Sequence, residues 1–261
     1  DFADRKNIGF DQLIYIEKET DQYVPITIFN SDGNEVDACG NGSRCIIKLL
    51  PLIDSKSKEE YEKNSKKNIS LKTKNRILTG SLSDKSKVLL DMGNPIFDWN
   101  KIPLSKKIDP GNVDLEIDGE KISFGFCVNV GNPHIIFFNV FNENFDKFYR
   151  QLENFGPKIE NHKLFPEKVN VTFASIVNKE HIVVRVWERG AGLTKACGTA
   201  ACATAVAANK LKLVKNAVTV DFHDNLKGER EGLFISIEPE PVNKIFMIGH
   251  AGGPSKIELE V

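Results

Sequence analysis

No apolar run in this sequence approaches the roughly 20 residues that a membrane-spanning helix needs, so a membrane role is not expected. Charge of one sign is also lacking. Lys plus Arg number 35 against 36 Asp plus Glu, a formal net charge of −1, and no global field would draw such a chain to nucleic acid or to an anionic surface. No charged-then-apolar leader follows Asp1, which makes a cytoplasmic protein with a small-molecule partner the expectation. Cysteines are few and odd in number, five in 261 residues, without the spacing of a disulfide framework; reduced thiols follow. There is no C-x-x-C pair and the five histidines are scattered, so no metal site is expected.

What is present is an ordinary globular balance, 41% hydrophobic and 27% charged, enough for one large domain or for two of about 100 to 150 residues. Stretches rich in β-branched and aromatic residues, separated by turn residues, predict strands at Gln12–Ile16, Val24–Phe29, Ile69–Thr73, Val88–Met92, Ile135–Val140, Ile182–Trp187, Val218–Phe222 and Leu233–Ile237. Helical signals are fewer. Phe145, Phe148, Leu152 and Phe155 share a helix face, and the pattern predicts a stop at Gly156-Pro157. A second helix, from about Asn41 to Leu50, is expected to halt at Pro51. The segment Gly198 to Ala208 carries no charge on any face and, as a helix, must be buried all round. Ser55 to Lys67, mostly Lys, Glu and Ser, reads as a solvated loop or exposed helix.

An internal repeat carries the chemistry. Ala38-Cys39-Gly40 is followed by Cys45, and Ala196-Cys197-Gly198 by Cys202, with a run of small apolar residues beyond. The two copies lie more than half a chain apart, which predicts two homologous halves, each presenting a Cys-Gly turn at the start of a buried helix. A thiol at a helix N-terminus faces unpaired N–H groups and the positive end of the helix dipole, so its anion is favoured and its pKa is expected to fall below about 8.5. The glycine that follows lets backbone approach a ligand, and Gly40-Asn41-Gly42 and Gly198-Thr199 offer N–H groups to a carboxylate. Two such turns face to face would let one thiolate take a proton from carbon while the opposite thiol returns one, inverting the centre without a cofactor. The bland alternatives are that Cys45, Cys127 and Cys202 are small buried hydrophobes, and that Cys39 and Cys45 exchange as a redox pair.

At this point two long segments resemble the signatures of bacterial diaminopimelate epimerases: Asp37-Ala38-Cys39-Gly40-Asn41-Gly42-Ser43-Arg44-Cys45, and Glu188-Arg189-Gly190-Ala191-Gly192-Leu193-Thr194-Lys195-Ala196-Cys197-Gly198-Thr199. Gly9-Phe10-Asp11-Gln12, Phe29-Asn30-Ser31-Asp32-Gly33, Gly131-Asn132-Pro133-His134 and Val169-Asn170-Val171 match in the same order. The resemblance implies an α+β fold of two similar domains, each a mixed curled sheet or barrel around a central helix, with the active site in the cleft between them. The first domain would span residues 1–95 plus 250–261 and the second 96–249. It implies epimerisation of LL-2,6-diaminopimelate to the meso form, a step toward lysine and peptidoglycan, without cofactor or metal and with a homodimer as a possible assembly. By motif, Cys39 and Cys197 are the acid and base, assisted by His134 and Glu188. Gln12, Asn30, Gly40, Asn41, Asn132, Asn170, Glu188, Arg189, Gly198 and Thr199 would hold the substrate's amino and carboxylate ends.

Two departures stand out. Family members carry a strand and a Gly-Asn-Asp-Phe segment ahead of the point at which this sequence opens; a protein truly lacking it is expected to miss a strand of its first sheet. Ala200 replaces a glycine common in the second signature, a change a helix should tolerate. The readings in competition are a proline-racemase-like enzyme, disfavoured by Asn41 where that family has histidine, and a non-catalytic small-molecule binder.

Overall fold

The computed structural model describes residues 9–10, 12–30, 33–36, 40–74, 76–84, 86–139, 145–223 and 232–253. Chain contacts divide it into two units, residues 1–91 with 248–261 and residues 92–247.

The first unit opens with β1 (Gln12–Ile16) and β2 (Val24–Asn30), an antiparallel pair, with the short β3 (Glu35–Val36) against β2. Helix α1 (Gly40–Ile53) and the exposed helix α2 (Lys58–Asn64) follow, then β4 (Ile69–Lys72), β5 (Ile77–Leu82) and β6 (Lys87–Gly93). The order is β1-β2-β4-β5-β6, with β2 and β4 parallel and the other pairs antiparallel. Ser57 caps α2 by accepting from the Glu60 N–H at 3.2 Å, so the charged stretch is an exposed helix. α1 lays Ile46, Ile47 and Leu50 on the sheet but leaves Asn41, Cys45, Leu52 and Ile53 in solvent. It is amphipathic rather than buried all round, which corrects the expectation drawn from the repeat, and Pro51 sits inside it rather than ending it.

The second unit contains β7 (Val113–Ile117), β8 (Glu120–Asn129), β9 (Pro133–Phe138), α3 (Phe145–Glu160), β10 (Asn170–Asn178), β11 (His181–Glu188), β12 (Gly192–Thr194), α4 (Gly198–Lys210), β13 (Ala217–Phe222) and β14 (Leu233–Ile237), and then the start of β15 (Ile245–His250), whose residues from 248 on count with the first unit. The order β7-β8-β9-β10-β11-β13-β14 mixes parallel pairs, β9/β10 and β11/β13, with antiparallel ones, and β12 folds back on β11. Helix α4 packs against β8, β9, β10, β11, β13 and β14. Every residue from Gly198 to Ala208 is buried, as a chargeless helix requires, and Ala200 is accommodated without exposure. On the other face of the sheet, α3 packs on β10, β11 and β7. Phe148, Tyr149, Leu152 and Ile159 enter a core with Phe137, Val171 and Phe173, the Phe148 and Phe173 rings stacked at 4.8 Å. Helices on both faces explain why β9 and the first six residues of β10 are buried almost without a break instead of alternating.

The predicted stop at Gly156-Pro157 is overturned, since α3 continues to Glu160. Gly156 marks a close approach instead. A Cβ there would lie 2.7 Å from Trp187 Cδ2 and 2.8 Å from its Cγ, so the indole rests where a side chain would be. Pro157 falls in the last turn, and its carbonyl accepts from Asn161 Nδ2 at 2.8 Å, so the helix loses little by it. Gly156→Ala is expected to destabilise by about 1–3 kcal/mol despite alanine's better helix propensity, because the ring has to move. Urea unfolding followed by circular dichroism measures it, and a stabilised variant would contradict the contact.

Candidate active site

The mixed sheet of the second unit brings its strand ends and the start of α4 to one place. Cys197 is the N-cap of α4, with extended backbone (φ −138°, ψ 114°) and no side-chain capping hydrogen bond. Its Sγ lies 3.4 Å from Thr199 Oγ1. The first intrahelical bond runs from the Ala201 N–H to the Cys197 carbonyl at 3.1 Å, so the N–H groups of the turn before it have no helical acceptor. Glu188 ends β11, and its charge acts on the thiol. The tight reversal to β12 pairs Glu188 with Gly192 and places Gly190 at φ +77°, a left-handed conformation that glycine adopts freely.

His134 and Asn170 stand side by side as register partners of the parallel β9/β10 pair. Asn170 joins two segments of the site: its Nδ2 donates to the Pro133 carbonyl at 2.8 Å and its Oδ1 accepts from the Arg189 N–H at 3.0 Å. His134 is fully buried. Its Nε2 lies 2.8 Å from Asn132 Oδ1, an acceptor, which puts the ring proton on Nε2. Nδ1 is buried and, among the described residues, has no hydrogen-bond partner. Burial, followed by the Arg189 charge, pushes the imidazole down to about 3, so it is neutral at any physiological pH.

The thiol reverses one expectation. Position at a helix N-terminus was expected to lower its pKa, yet burial, with the Glu188 charge second, pushes Cys197 up, while the Thr199 hydroxyl and the Ala200 N–H pull weakly the other way. Desolvation and a like charge outweigh the helix end, and Cys197 rests as a thiol. Cys127 and Cys202 are buried, as read from the sequence, but Cys45 is exposed on the solvent side of α1, which corrects its assignment as a core residue.

Asn132, His134, Asn170, Glu188, Arg189, Cys197, Gly198 and Thr199 thus gather in the second unit. In the first unit, Gln12 and Asn30 are partners across β1 and β2, with Gln12 Nε2 donating to Asn30 Oδ1 at 3.0 Å. Gly40 and Asn41 open α1, and Asn41 Oδ1 accepts from Arg44 Nη2 at 2.7 Å. Cys39 lies outside the described residues. Among the described residues no group of three or more His, Cys, Asp and Glu side chains is placed to hold a metal ion, and no helix is long and apolar enough to cross a membrane. The sequence reading did not single out Glu160, at the end of α3, which accepts from both Trp187 and Gly190. An acid at a helix terminus ordinarily faces solvent, so periodicity carries no sign of it.

Known proteins share this framework. Among solved structures, a hydroxyproline epimerase from Agrobacterium vitis superposes with a TM-score of 0.61 at 13% identity, covering 92% of this chain and 71% of that one. A PhzF-family phenazine biosynthesis protein from Bacillus anthracis gives 0.60 at 15% identity, covering 94% and 84%. At such identities the likeness is one of fold. Sequence comparison goes further. The profile described as diaminopimelate epimerase matches residues 126–251. The diaminopimelate epimerase of Pelagibacter ubique (strain HTCC1062) is 49% identical over 223 residues, 84% of this chain and 76% of that protein. That of Sphingopyxis alaskensis is 42% identical over 221 residues, 84% and 73%. With the second signature folded into a single constellation at the start of α4 and identity of this level running through most of both chains, the chain belongs to the diaminopimelate epimerase family.

Proposed function

We propose that this protein interconverts LL-2,6-diaminopimelate and meso-diaminopimelate by taking the α-proton with one cysteine and delivering a different proton to the opposite face from the other, Cys39 and Cys197 being the pair. The observation that carries the reading is the surrounding of Cys197 by Glu188, Thr199 and the first-turn N–H groups of α4, in a chain 49% identical to a diaminopimelate epimerase. Residues 1–95 plus 250–261 and residues 96–249 are the proposed halves, each contributing one thiol. The protein is read as a cytoplasmic enzyme and possible homodimer, with neither metal nor organic cofactor in the step.

The α-carbon of an amino acid is a poor acid because removing its proton adds negative charge beside a carboxylate. N–H donors aimed at that carboxylate, in a site without water, stabilise the added charge as it develops. The first turn of α4 supplies such donors, with Gly198 letting the ligand come close, and Gly40 and Asn41 at the start of α1 are assigned the same task. In the forward step, the Cys39 thiolate takes the α-proton, the C–H electron pair is delocalised into the carboxylate, and Cys197 delivers its thiol proton to the opposite face. Cys39 then holds a proton and Cys197 a negative charge, and exchange with solvent restores the resting state. Burial and the Glu188 carboxylate hold Cys197 protonated, ready to donate. In the reverse direction Cys197 is the base, and a substrate ammonium paired with Glu188 cancels the charge that opposes its ionisation. Gln12, Asn30, Asn132, Asn170, Arg189 and Thr199 are assigned to the remaining polar ends of the substrate, with Arg189 suited to a carboxylate. His134, neutral and with a free Nδ1 lone pair, enters as an acceptor that orients a donor.

The test is epimerisation of LL-diaminopimelate in D2O without added cofactor. Meso product carrying solvent deuterium at the inverted carbon is expected from the first turnovers. No turnover, or product without deuterium, would remove the reading. A racemase acting on proline but not on diaminopimelate would favour the alternative.

A further inference from the structure

Glu160 closes α3 on the sheet side and is only 5% exposed. Both of its oxygens are engaged, and they grip the two ends of one short segment. Oε2 accepts from Trp187 Nε1 at 2.8 Å. Oε1 accepts from the Gly190 N–H at 3.0 Å and lies 3.4 Å from Lys168 Nζ. Between Trp187 and Gly190 stand only Glu188 and Arg189, the residues assigned to the thiol and to a substrate carboxylate. The Trp187 ring is itself held in place, lying over Gly156 one turn earlier on α3. The middle of the segment is fixed from the other side by Asn170, whose Oδ1 accepts from the Arg189 N–H.

We propose that Glu160 is a positioning residue for the epimerisation: its carboxylate clamps Trp187 and Gly190 and so sets the directions in which Glu188 and Arg189 meet the substrate. The inference rests on the function proposed above. The clamp needs an anion with two accepting oxygens. Burial raises the Glu160 pKa, but the Trp187 and Gly190 hydrogen bonds and Lys168 together lower it by more, so the side chain is ionised at neutral pH. An amide in its place has one accepting oxygen and one NH2, and the NH2 would face an N–H donor. One end of the segment is then released while the volume is conserved. Misplacement of binding groups by about 1 Å costs on the order of 100-fold in rate, and because the released groups hold substrate, the loss should fall chiefly on KM.

The experiment compares the natural chain with Glu160→Gln, Trp187→Phe and the double variant, measuring kcat and KM for LL-diaminopimelate well below each thermal midpoint and per folded molecule. Glu160→Gln is expected to lose about 10- to 100-fold in kcat/KM, mostly through KM. Trp187→Phe, which keeps a ring over Gly156 but removes the N–H, should lose several-fold. The double variant should be no worse than Glu160→Gln within about twofold, because both changes open the same clamp. Folded Glu160→Gln with kcat/KM within twofold of the natural chain overturns the proposal, as does a double variant whose losses multiply. Should Glu160→Gln not fold, a Trp187→Phe variant that loses stability but not kcat/KM overturns it equally. Wild-type turnover beside unaffected variants removes this inference alone; a natural chain without turnover removes the function and this inference with it.

Discussion

Cys197→Ala is expected to abolish inversion, lowering the rate of epimerisation by at least about 1000-fold, while the protein folds as before. General acid–base groups contribute about 100- to 10,000-fold, and inversion by two bases fails entirely when one face has no proton to give. The fold should survive because Sγ contributes little to it: Cys197 makes no side-chain capping hydrogen bond, its approach to Thr199 Oγ1 is long at 3.4 Å, and the Ala200 N–H can turn to a water in its place. The residue is small and alanine is compatible with its burial, so a loss of no more than about 1 kcal/mol is expected. Cys39→Ala is expected to abolish inversion in the same way. The pair of variants makes a sharper test than either alone. A lone thiol can still remove and return a proton on its own face, so any deuterium exchange that survives in one variant should be confined to one configuration at the α-carbon, and in the other variant to the opposite configuration. Nuclear magnetic resonance of LL- and meso-diaminopimelate in D2O separates the cases. Near-normal epimerisation in either variant would defeat the two-cysteine account, and exchange of both configurations by one remaining thiol would defeat the assignment of one face to each.

The Cys197-Gly198 turn was legible in the sequence because its chemistry is local: glycine, a small apolar run and a thiol sit within a dozen residues, and α4 is as buried as its lack of charge demands. All eight predicted strands occur among the described residues, with Val140 at the end of one of them lying outside those residues, since β-branched runs report directly on pleated, packed surface. The strands that went unread have diverse causes. β7 alternates cleanly, Val113, Leu115 and Ile117 inward and Asp114 and Glu116 outward, and its signal is present though short. β8 is broken by Phe124 at φ +64° and a register shift against β7, and β5 carries Gly80 in its middle. The continuation of α3 past Gly156 was hidden because a ring 31 positions away occupies the missing side chain's place. Tertiary contact overrode local propensity there. The same limit hid Glu160 and reversed the expected ionisation of Cys197. A helix N-terminus can be read from a motif, whereas the burial of the thiol and the approach of Glu188 depend on how β11 and α4 are brought together.

Acid should weaken the protein through His134, and the sign follows from the shift. The folded-state pKa is depressed to about 3 by burial and by Arg189, whereas an unfolded histidine titrates near 6.5. Between these values the unfolded chain binds a proton that the folded chain refuses, so stability is intact above about pH 6.5 and falls as pH drops toward 3. The slope is about 1.4 kcal/mol per pH unit, a loss of about 2 kcal/mol by pH 5 and about 5 kcal/mol by pH 3 from this residue alone. His162, lowered mainly by burial and also by Lys163 and Lys106, and Glu160, held below its ordinary value, push in the same direction. A variant is therefore needed to isolate the term. His134→Gln keeps a donor for Asn132 Oδ1 but cannot titrate. It is expected to be less stable than wild type at pH 7.5 by about 1–2 kcal/mol, the cost of disturbing a buried polar pair, and to lose less on acidification, so that the two stability curves converge near pH 5 and cross below it. Urea unfolding from pH 7.5 to 4.5 gives both curves, and parallel curves would contradict a neutral, buried imidazole. The same neutrality constrains the chemistry. A ring held neutral by burial supplies no positive charge to the developing carbanion, which leaves that task to the N–H groups at the helix starts and to Arg189.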